Sequence, residues 1–258
     1  MSEEVKVISW NILASEWIVK KDYTDINKTT LFNNRKRIKT IIETLNNYNA
    51  DIILLQEVMP DEYKIMYKYF KDEYHITEIL PIKWSYRNTN NHKSESGNIT
   101  MLRKSKYNII QFNLDKDLSS KIMQFCKITQ CMNIKTNKVI TLYNIHLDDL
   151  SSVKRNKQMK QIVDFNNELY SKASCIIAGD FNQVYRENSK LYNIPKFIVH
   201  NFCNTYYIEK NINIDNILTK GFKENKSLAK CENFAKDTED IFKKIGSDHT
   251  PVIANIVL

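Results

Sequence analysis

The sequence predicts an α/β fold, because apolar runs of strand length alternate with longer stretches whose apolar residues recur every three or four positions. A second observation is where those strand-like runs stop: several end in Asn, Glu, His or Asp. The third is size, since 258 residues with 42% hydrophobic content can bury a substantial core as one domain spanning residues 1–258.

Ser174 to Asn182, Ser-Cys-Ile-Ile-Ala-Gly-Asp-Phe-Asn, shows the pattern most sharply. The run from Cys175 to Ala178 is too short for a helix but long enough for a buried strand, and Gly179 breaks it before a carboxylate. Side chains alternate along extended backbone, so Asp180 and Asn182 are expected on one side with Phe181 turned back into the core. Taken alone, Gly-Asp-x-Asn reads as a surface turn.

In chain order, Val5 to Ile12 alternates, with Val5, Val7, Ser9 and Asn11 on one face and Lys6, Ile8, Trp10 and Ile12 on the other. Ala14 to Asn34 is polar and irregular, a loop at the strand tip. Arg35 to Tyr48 carries a helical stripe of Ile38, Ile41, Ile42, Leu45 and Tyr48. Asp51 to Val58 is a buried strand whose apolar character stops at Gln56 and Glu57. Pro60 opens a helix through Phe70. Arg87 to Ser96 is a loop, Gly97 to Leu102 a strand, and Lys121 to Ile134 with Val139 to Leu147 a hairpin turning at Lys135 to Lys138. The second arm runs into His146, with Asp148 and Asp149 as loop or helix-cap residues behind it.

Lys154 to Tyr170 is a helix with Met159, Ile162, Val163, Leu169 and Tyr170 on one face and Lys154, Arg155, Lys157 and Lys160 in its first half. Basic residues there oppose the helix dipole, and a phosphate backbone is one reason to keep them; a solvated face is the plainer one. The chain is then irregular to Lys210. Asn213 to Gly221 is a short strand containing Asp215, Ser227 to Lys244 is loop and helix, and Val252 to Leu258 is a closing strand behind Gly-Ser-Asp-His-Thr-Pro.

A formal charge of +8 favours polyanionic partners, nucleic acid first and anionic membranes second, although a Lys- and Asn-rich composition weakens that signal. The apolar runs fall short of a membrane span, and the first residues lack a signal peptide's basic and apolar regions, which predicts a soluble, intracellular protein of cytoplasm or nucleus. Cysteines 126, 131, 175, 203 and 231 have no Cys-x-x-Cys pairing and are expected as free thiols in a reducing compartment, with Cys175 in the core.

The strand ends together offer Asn11, Glu57, His146, Asp180, Asn182, Asp215, Asp248 and His249. Oxygen-rich ligands of this kind suit Mg2+, or Mn2+, better than Zn2+. Phosphodiester hydrolysis needs an activated water, in-line geometry and positive charge where negative charge grows, and these residues can supply each part.

Seven stretches, Ser-Trp-Asn-Ile-Leu-Ala-Ser (9–15), Leu-Leu-Gln-Glu-Val (54–58), Ser-Gly-Asn-Ile-Thr-Met-Leu (96–102), Asn-Ile-His-Leu-Asp-Asp (144–149), Ala-Gly-Asp-Phe-Asn (178–182), Ile-Asp-Asn-Ile-Leu (214–218) and Gly-Ser-Asp-His-Thr-Pro-Val (246–252), occur in this order. Each is weak alone. Together they resemble the ordered motifs of the endonuclease/exonuclease/phosphatase superfamily. The resemblance implies a four-layer α/β sandwich, two central, mostly antiparallel sheets flanked by helices, with the active site at one end. It implies that Glu57, helped by Asn11 and with Asp248 near it, holds the divalent metal. Asp180 would orient or deprotonate the attacking water and Asn182 position it. His249, held by Asp215, would bind a phosphate oxygen, and His146 would contact the phosphate or assist the leaving group. Asn98 and Arg155 would bind substrate.

Within that superfamily His146 replaces the Tyr-x-Pro of abasic-site enzymes, and Asp180-Phe-Asn-Gln departs from the Asp-x-Asn-Tyr-Arg of inositol polyphosphate 5-phosphatases. Residues 9–15 resemble the deadenylase and nocturnin branch. The His146 motif with Arg155 and Gln158 is similar to tyrosyl-DNA phosphodiesterases. The expected activity is a Mg2+-dependent phosphodiesterase acting, as a monomer, on DNA, RNA or a nucleic-acid adduct. Phosphatase or phosphodiesterase action on inositol phosphates or lipids, and catalytically silent nucleic-acid binding, are the alternatives. Trp17, Tyr23, Trp84 and Tyr86, in or beside predicted loops, are candidate stacking platforms for bases.

Overall fold

The computed structural model describes residues 2–18, 34–81, 95–111, 125–186, 189, 191–200, 203–206, 212–223 and 238–258. Strand β1 (Glu4–Asn11) has the two faces that its alternation predicts: Ile8, Trp10 and the following Ile12 join one core with helices, while Val5 and Val7 join another between the sheets. Helix α1 (Ser15–Ile18) puts one turn where a loop was expected, and Trp17 packs there against the helical core. Tyr23, Trp84 and Tyr86 lie outside the described residues. Helix α2 (Asn34–Tyr48) buries Ile38, Ile41, Ile42 and Leu45 as its spacing requires, and also Arg37 and Thr44.

Strand β2 (Ile52–Val58) pairs parallel with β1, the chain having crossed over through α2. Helix α3 (Pro60–Phe70) follows with proline in its first turn. Strands β3 (Tyr74–Ile76), β4 (Leu80–Pro81) and β5 (Gly97–Arg103) complete a sheet ordered β12-β1-β2-β5-β3, with β4 also paired to β5. Strands β6 (Tyr107–Gln111), β7 (Cys126–Asn133) and β8 (Val139–His146) form an antiparallel meander. Helix α4 (Ser152–Leu169) then crosses to β9 (Ser174–Asp180), parallel to β8. Strands β10 (Ile198–Val199) and β11 (Asp215–Lys220) finish a second sheet ordered β10-β11-β9-β8-β7-β6. Helix α5 (Thr238–Ile245) leads into β12 (Val252–Val257), antiparallel to β1.

Three cores separate four layers. Helices α2, α3 and α5 cover the outer face of the first sheet, α4 covers that of the second, and the inner faces meet through Val5, Val7, Ile52, Leu54, Leu142, Ile176 and Ile217. The predicted sandwich is therefore present, and each sheet is mixed, with one parallel pair among antiparallel ones. Both parallel pairs arise from strand–helix–strand crossovers, which send their strand ends to the same pole.

The inter-sheet layer changes character along its length. Away from the site it is aliphatic. Toward the pole holding Asn11 and Asp180 it becomes polar: Gln56 Nε2 donates to Asn144 Oδ1 at 2.8 Å, and Asn144 Nδ2 donates to the carbonyls of Leu55 and Ile99 at 3.1 and 2.8 Å. Asn98 Nδ2 reaches Asn144 O at 2.9 Å. Asn144, on β8, thereby ties the second sheet to two strands of the first.

Some sequence expectations need correction. On α4 the buried residues are Met159, Ile162, Phe165 and Asn166, whereas Leu169 is exposed, because the helical stripe turns past it in the last turn. The region to Lys210 contains the short strand β10. Cys126, Cys131 and Cys175 are free and buried on strands, but Cys203 is disulfide-bonded, its partner outside the described residues. The first three sit on β7 and β9, whereas Cys203 follows β10 on irregular chain. No described helix is long and apolar enough to cross a membrane.

Candidate active site

The parallel pair β1–β2 ends in Asn11 and, after a bulge, Glu57; the parallel pair β8–β9 ends in His146 opposite Asp180. Antiparallel β11 begins at this pole, so Asp215 lies opposite Asp180, and the turn before β12 brings in Asp248 and His249. Strand direction alone thus gathers residues from across the chain.

Asn11 is the bridge between the sheets. Its Nδ2 donates to Glu57 Oε1 at 2.8 Å and to Asp180 Oδ2 at 3.1 Å, while its Oδ1 accepts from Leu13 N at 3.0 Å. Leu13 can turn back this way because it adopts φ +59°. Glu57, itself at φ +59°, also accepts from Ala14 N through Oε2 at 2.9 Å. His146 Nε2 is 3.6 Å from Asp180 Oδ2 and 3.9 Å from Glu57 Oε1. His249 Nδ1 bonds Asp215 Oδ2 at 2.8 Å, and its Nε2 is 3.9 Å from Asp180 Oδ2.

Asn182 departs from the alternation expected of it. Its φ of +50° ends the extended chain just after Phe181, which does turn into the core. Asn182 N caps Asp180 Oδ1 at 2.7 Å, and its Nδ2 donates to Leu147 O at 3.0 Å, so it fixes Asp180 through its backbone. Asn98 is buried one layer below, on the polar floor. Arg155 donates to the carbonyls of Asp148 and Asp149 at 2.9 and 3.3 Å and to Gln183 Oε1 at 3.4 Å, bracing the loop behind His146 against the loop behind Asn182. Asp148 behaves as a loop residue, its Oδ1 accepting from Leu150 N and Ser151 N at 3.1 and 2.7 Å.

Electrostatics separate the two histidines. Burial, reinforced by His249, pushes His146 down to about 3, so it stays neutral. At His249 burial works against the imidazolium, but Asp215, Asp248 and Asp180 together hold it well above the ordinary imidazole range. Glu57 is raised to about 7, by burial first and Asp248 second, against the hydrogen bonds from Asn11 and Ala14. Asp180 is raised by burial and by Asp215, against His249, Asn182 and Asn11.

Burial is the largest cause of both shifts, and Asp248 beside Glu57 and Asp215 beside Asp180 add to it, so carboxylates are crowded together at this buried pole. Carboxylate and carboxamide oxygens in such a place fit a hard divalent cation. Among the described residues, Asp180, Asp215 and His249 bring ligand atoms within 4.8 Å of one another. Glu57, the carboxylate expected to hold metal, stands beside that group and is joined to it through Asn11.

Several supporting residues were not anticipated. Trp10 Nε1 donates to His249 O at 2.7 Å, and Ser247 Oγ donates to Asn11 O at 2.8 Å while accepting from His249 N at 3.1 Å. Both sit inside the ordered motifs, which was the available signal. Thr205 Oγ1 accepts from Ile214 N and Asp215 N at 3.2 and 3.1 Å, and the Tyr206 ring lies 4.8 Å from that of His249. Nothing local distinguishes those two in irregular chain; only the fold brings them to Asp215 and His249.

A model of the Endonuclease/Exonuclease/phosphatase family matches residues 8–249. The "Probable CCR4-Not complex 3'-5'-exoribonuclease subunit Ccr4" of Vairimorpha ceranae (strain BRL01) is 25% identical over 233 residues, covering 79% of this chain and 46% of that protein. The chain spans less than half the length of the curated relatives it matches. Among solved structures, ANGEL2, described as a 2',3'-cyclic phosphatase and bound to adenosine-2',3'-vanadate, superposes with a TM-score of 0.71 at 16% identity, over 100% of this chain and 96% of that one. A humanized D. rerio TDP2 superposes with a TM-score of 0.65 at 18% identity, over 98% of each chain. At those identities the likeness is one of fold.

Proposed function

This chain belongs to the endonuclease/exonuclease/phosphatase family, and from that premise we propose that it is a divalent-metal-dependent phosphodiesterase hydrolysing phosphodiester bonds in nucleic acid or a nucleic-acid adduct. The observation that carries the proposal is the single pole at which Asn11 links Glu57 to Asp180, with His146, His249 and Asp215 around them. The basic charge of the chain supports a nucleic-acid substrate in general, and RNA stands first among the nucleic acids on the exoribonuclease name of the relative.

In this mechanism Glu57 and Asn11, with Asp248 alongside, would hold a Mg2+ or Mn2+ ion. When bound, the cation supplies positive charge where the phosphoryl oxygens gain negative charge. Asp180 orients the attacking water and takes its proton, a task suited to a carboxylate whose proton affinity has been raised by burial. Water attacks phosphorus in line, one P–O ester bond breaks, and the leaving oxygen is protonated, giving a phosphomonoester and an alcohol.

His249, cationic and oriented by Asp215 at Nδ1, donates from Nε2 to a non-bridging oxygen. His146, neutral, contributes a hydrogen bond to the phosphate or leaving oxygen. Asn182 steadies Asp180, while Asn98, buried beneath the pole, and Arg155, bracing the loops behind His146 and Asn182, shape the substrate site from behind.

The test is a panel of labelled DNA, RNA, poly(A) and 5′-tyrosyl oligonucleotides, alongside inositol phosphates and lipids, with Mg2+ and with EDTA. Mg2+-dependent cleavage of a nucleic-acid substrate is expected. Turnover that survives thorough chelation removes the metal role. Turnover confined to inositol phosphates or lipids, or nucleic-acid binding with no turnover, replaces the proposal with the corresponding alternative.

A further inference from the structure

Outside the catalytic pole, the helical layer buries a charged pair that the chemistry above does not use. Arg37 of α2 and Glu62 of α3 form an ion pair, both side chains almost entirely removed from solvent. Taking two charges out of water is costly, and a pair kept there must be compensated by further hydrogen bonds. The partners of this pair are unusual in where they sit.

Arg37 Nη1 donates to Ile12 O at 2.6 Å and to Gly246 O at 3.2 Å. Ile12 follows Asn11. Gly246 precedes the Ser247-Asp248-His249 turn, and a Cβ added to it would lie 3.0 Å from both Arg37 Cγ and Arg37 O, so the turn is seated directly on the arginine. Glu62 Oε2 accepts from Met59 N at 3.0 Å, two residues beyond Glu57. Asn34 Oδ1 accepts from Arg37 Nε and Nη2 at 3.3 and 3.0 Å, which fixes the plane of the guanidinium. One pair therefore grips the three chain segments through which the first sheet delivers Asn11, Glu57, Asp248 and His249.

We propose that Arg37 and Glu62 are a positioning pair for the cation-holding half of the site, setting the relative placement of Asn11, Glu57 and the Asp248–His249 turn without touching substrate. This rests on the function proposed above for the assignment of those residues to the cation. The planar fork of Arg37 is the essential part, because a lysine keeps the charge toward Glu62 but cannot hold two backbone carbonyls and Asn34 in one plane.

The full chain carrying Arg37→Lys or Glu62→Gln is compared with wild type in three measurements: thermal unfolding, Mn2+ binding followed by electron paramagnetic resonance, and kcat and KM on the substrate that wild type cleaves. Arg37→Lys is expected to fold, to bind Mn2+ at least 10-fold more weakly and to lose at least 10-fold in kcat, with KM changed less than threefold. Glu62→Gln leaves one side-chain oxygen for two donors, Arg37 Nη2 and Met59 N, and turns an NH2 toward the other, so it is expected to fold and to fall between Arg37→Lys and wild type in both. A folded Arg37→Lys protein with Mn2+ affinity and kcat within twofold of wild type overturns the proposal.

Should Arg37→Lys fail to fold, the double variant Arg37→Met, Glu62→Met removes both buried charges. A folded double variant that has lost Mn2+ affinity supports the proposal, and one that binds Mn2+ as wild type does overturns it. Wild-type protein that binds Mn2+ but cleaves no nucleic acid counts against the proposed function alone, because the Mn2+ comparison among variants still decides the role of the pair.

Discussion

Gly179, one residue before Asp180, is where packing and chemistry meet. A Cβ there would lie 1.9 Å from Ile145 O and 2.8 Å from Ile145 C, and the residue holds φ +149°, where L side chains are rarely found. Accommodating alanine requires β8 and β9 to part by about 1 Å, or Gly179 to change conformation. Backbone strain of about 1–3 kcal/mol and overpacking of a further ~1–3 kcal/mol give a loss of roughly 2–6 kcal/mol, a large fraction of ordinary domain stability. If the chain folds, the same displacement moves Asp180, and about 1 Å at a reacting group costs on the order of 100-fold in rate.

Gly221→Ala is the matched control. Gly221 is also at positive φ, +82°, but follows β11 at the opposite pole, and its added Cβ would meet Ser174 Cα and Oγ at 3.2 Å, a tight contact but far milder than the 1.9 Å at Gly179. It should lose about 1–3 kcal/mol from strain and turn over within twofold of wild type. Urea unfolding gives the stabilities and the labelled substrate the rates. A Gly179→Ala protein with the wild-type urea midpoint and rate would refute the reasoning, as would a Gly221→Ala protein that loses activity to the same degree.

Asp180→Asn should lower turnover by at least about 100-fold while raising the unfolding midpoint of cation-free protein, since it removes a buried carboxylate whose charged form the fold disfavours; a less stable variant contradicts this. For Glu57 the sign follows from a folded pKa raised from 4.5 to about 7: the folded state binds more protons than the unfolded one between those values, so this group subtracts stability as pH rises through that window. Without divalent cations, the stability of Glu57→Gln relative to wild type should therefore grow by up to about 3 kcal/mol between pH 4.5 and pH 8, and a difference that stays flat across urea melts rules the shift out. His249→Ala should cost on the order of 100-fold in kcat, with Asp215→Asn costing less because it spares the imidazole, and equal losses would mean that Asp215 does more than orient.

Much of the fold was legible because its elements are locally consistent. The stripe of Ile38, Ile41, Ile42 and Leu45 and the alternation of Val5 to Ile12 each name a buried face, and those faces are the ones buried. The gathering of Asn11, Glu57, His146, Asp180, Asp215 and His249 was legible from motif order, although no single motif implies it. Less visible was the backbone: left-handed φ at Leu13, Glu57 and Asn182 re-aims side chains that alternation would point elsewhere. Arg37 escaped notice for a different reason. On a helix it reads as a solvated cation, and only the packed layers reveal that carbonyls from two distant segments end beneath it.

The Asn144 tie between the sheets has a consequence for how the molecule can vary. Aliphatic plates pressed together resist separation but not slippage, since oily contact has no preferred register. An amide that donates to carbonyls on two strands of the opposite plate and accepts from Gln56 on one of them works as a dowel, permitting one alignment. With that alignment fixed just beneath the catalytic rim, the loops above it are free to be lengthened, shortened or exchanged for new substrates while the halves stay in step.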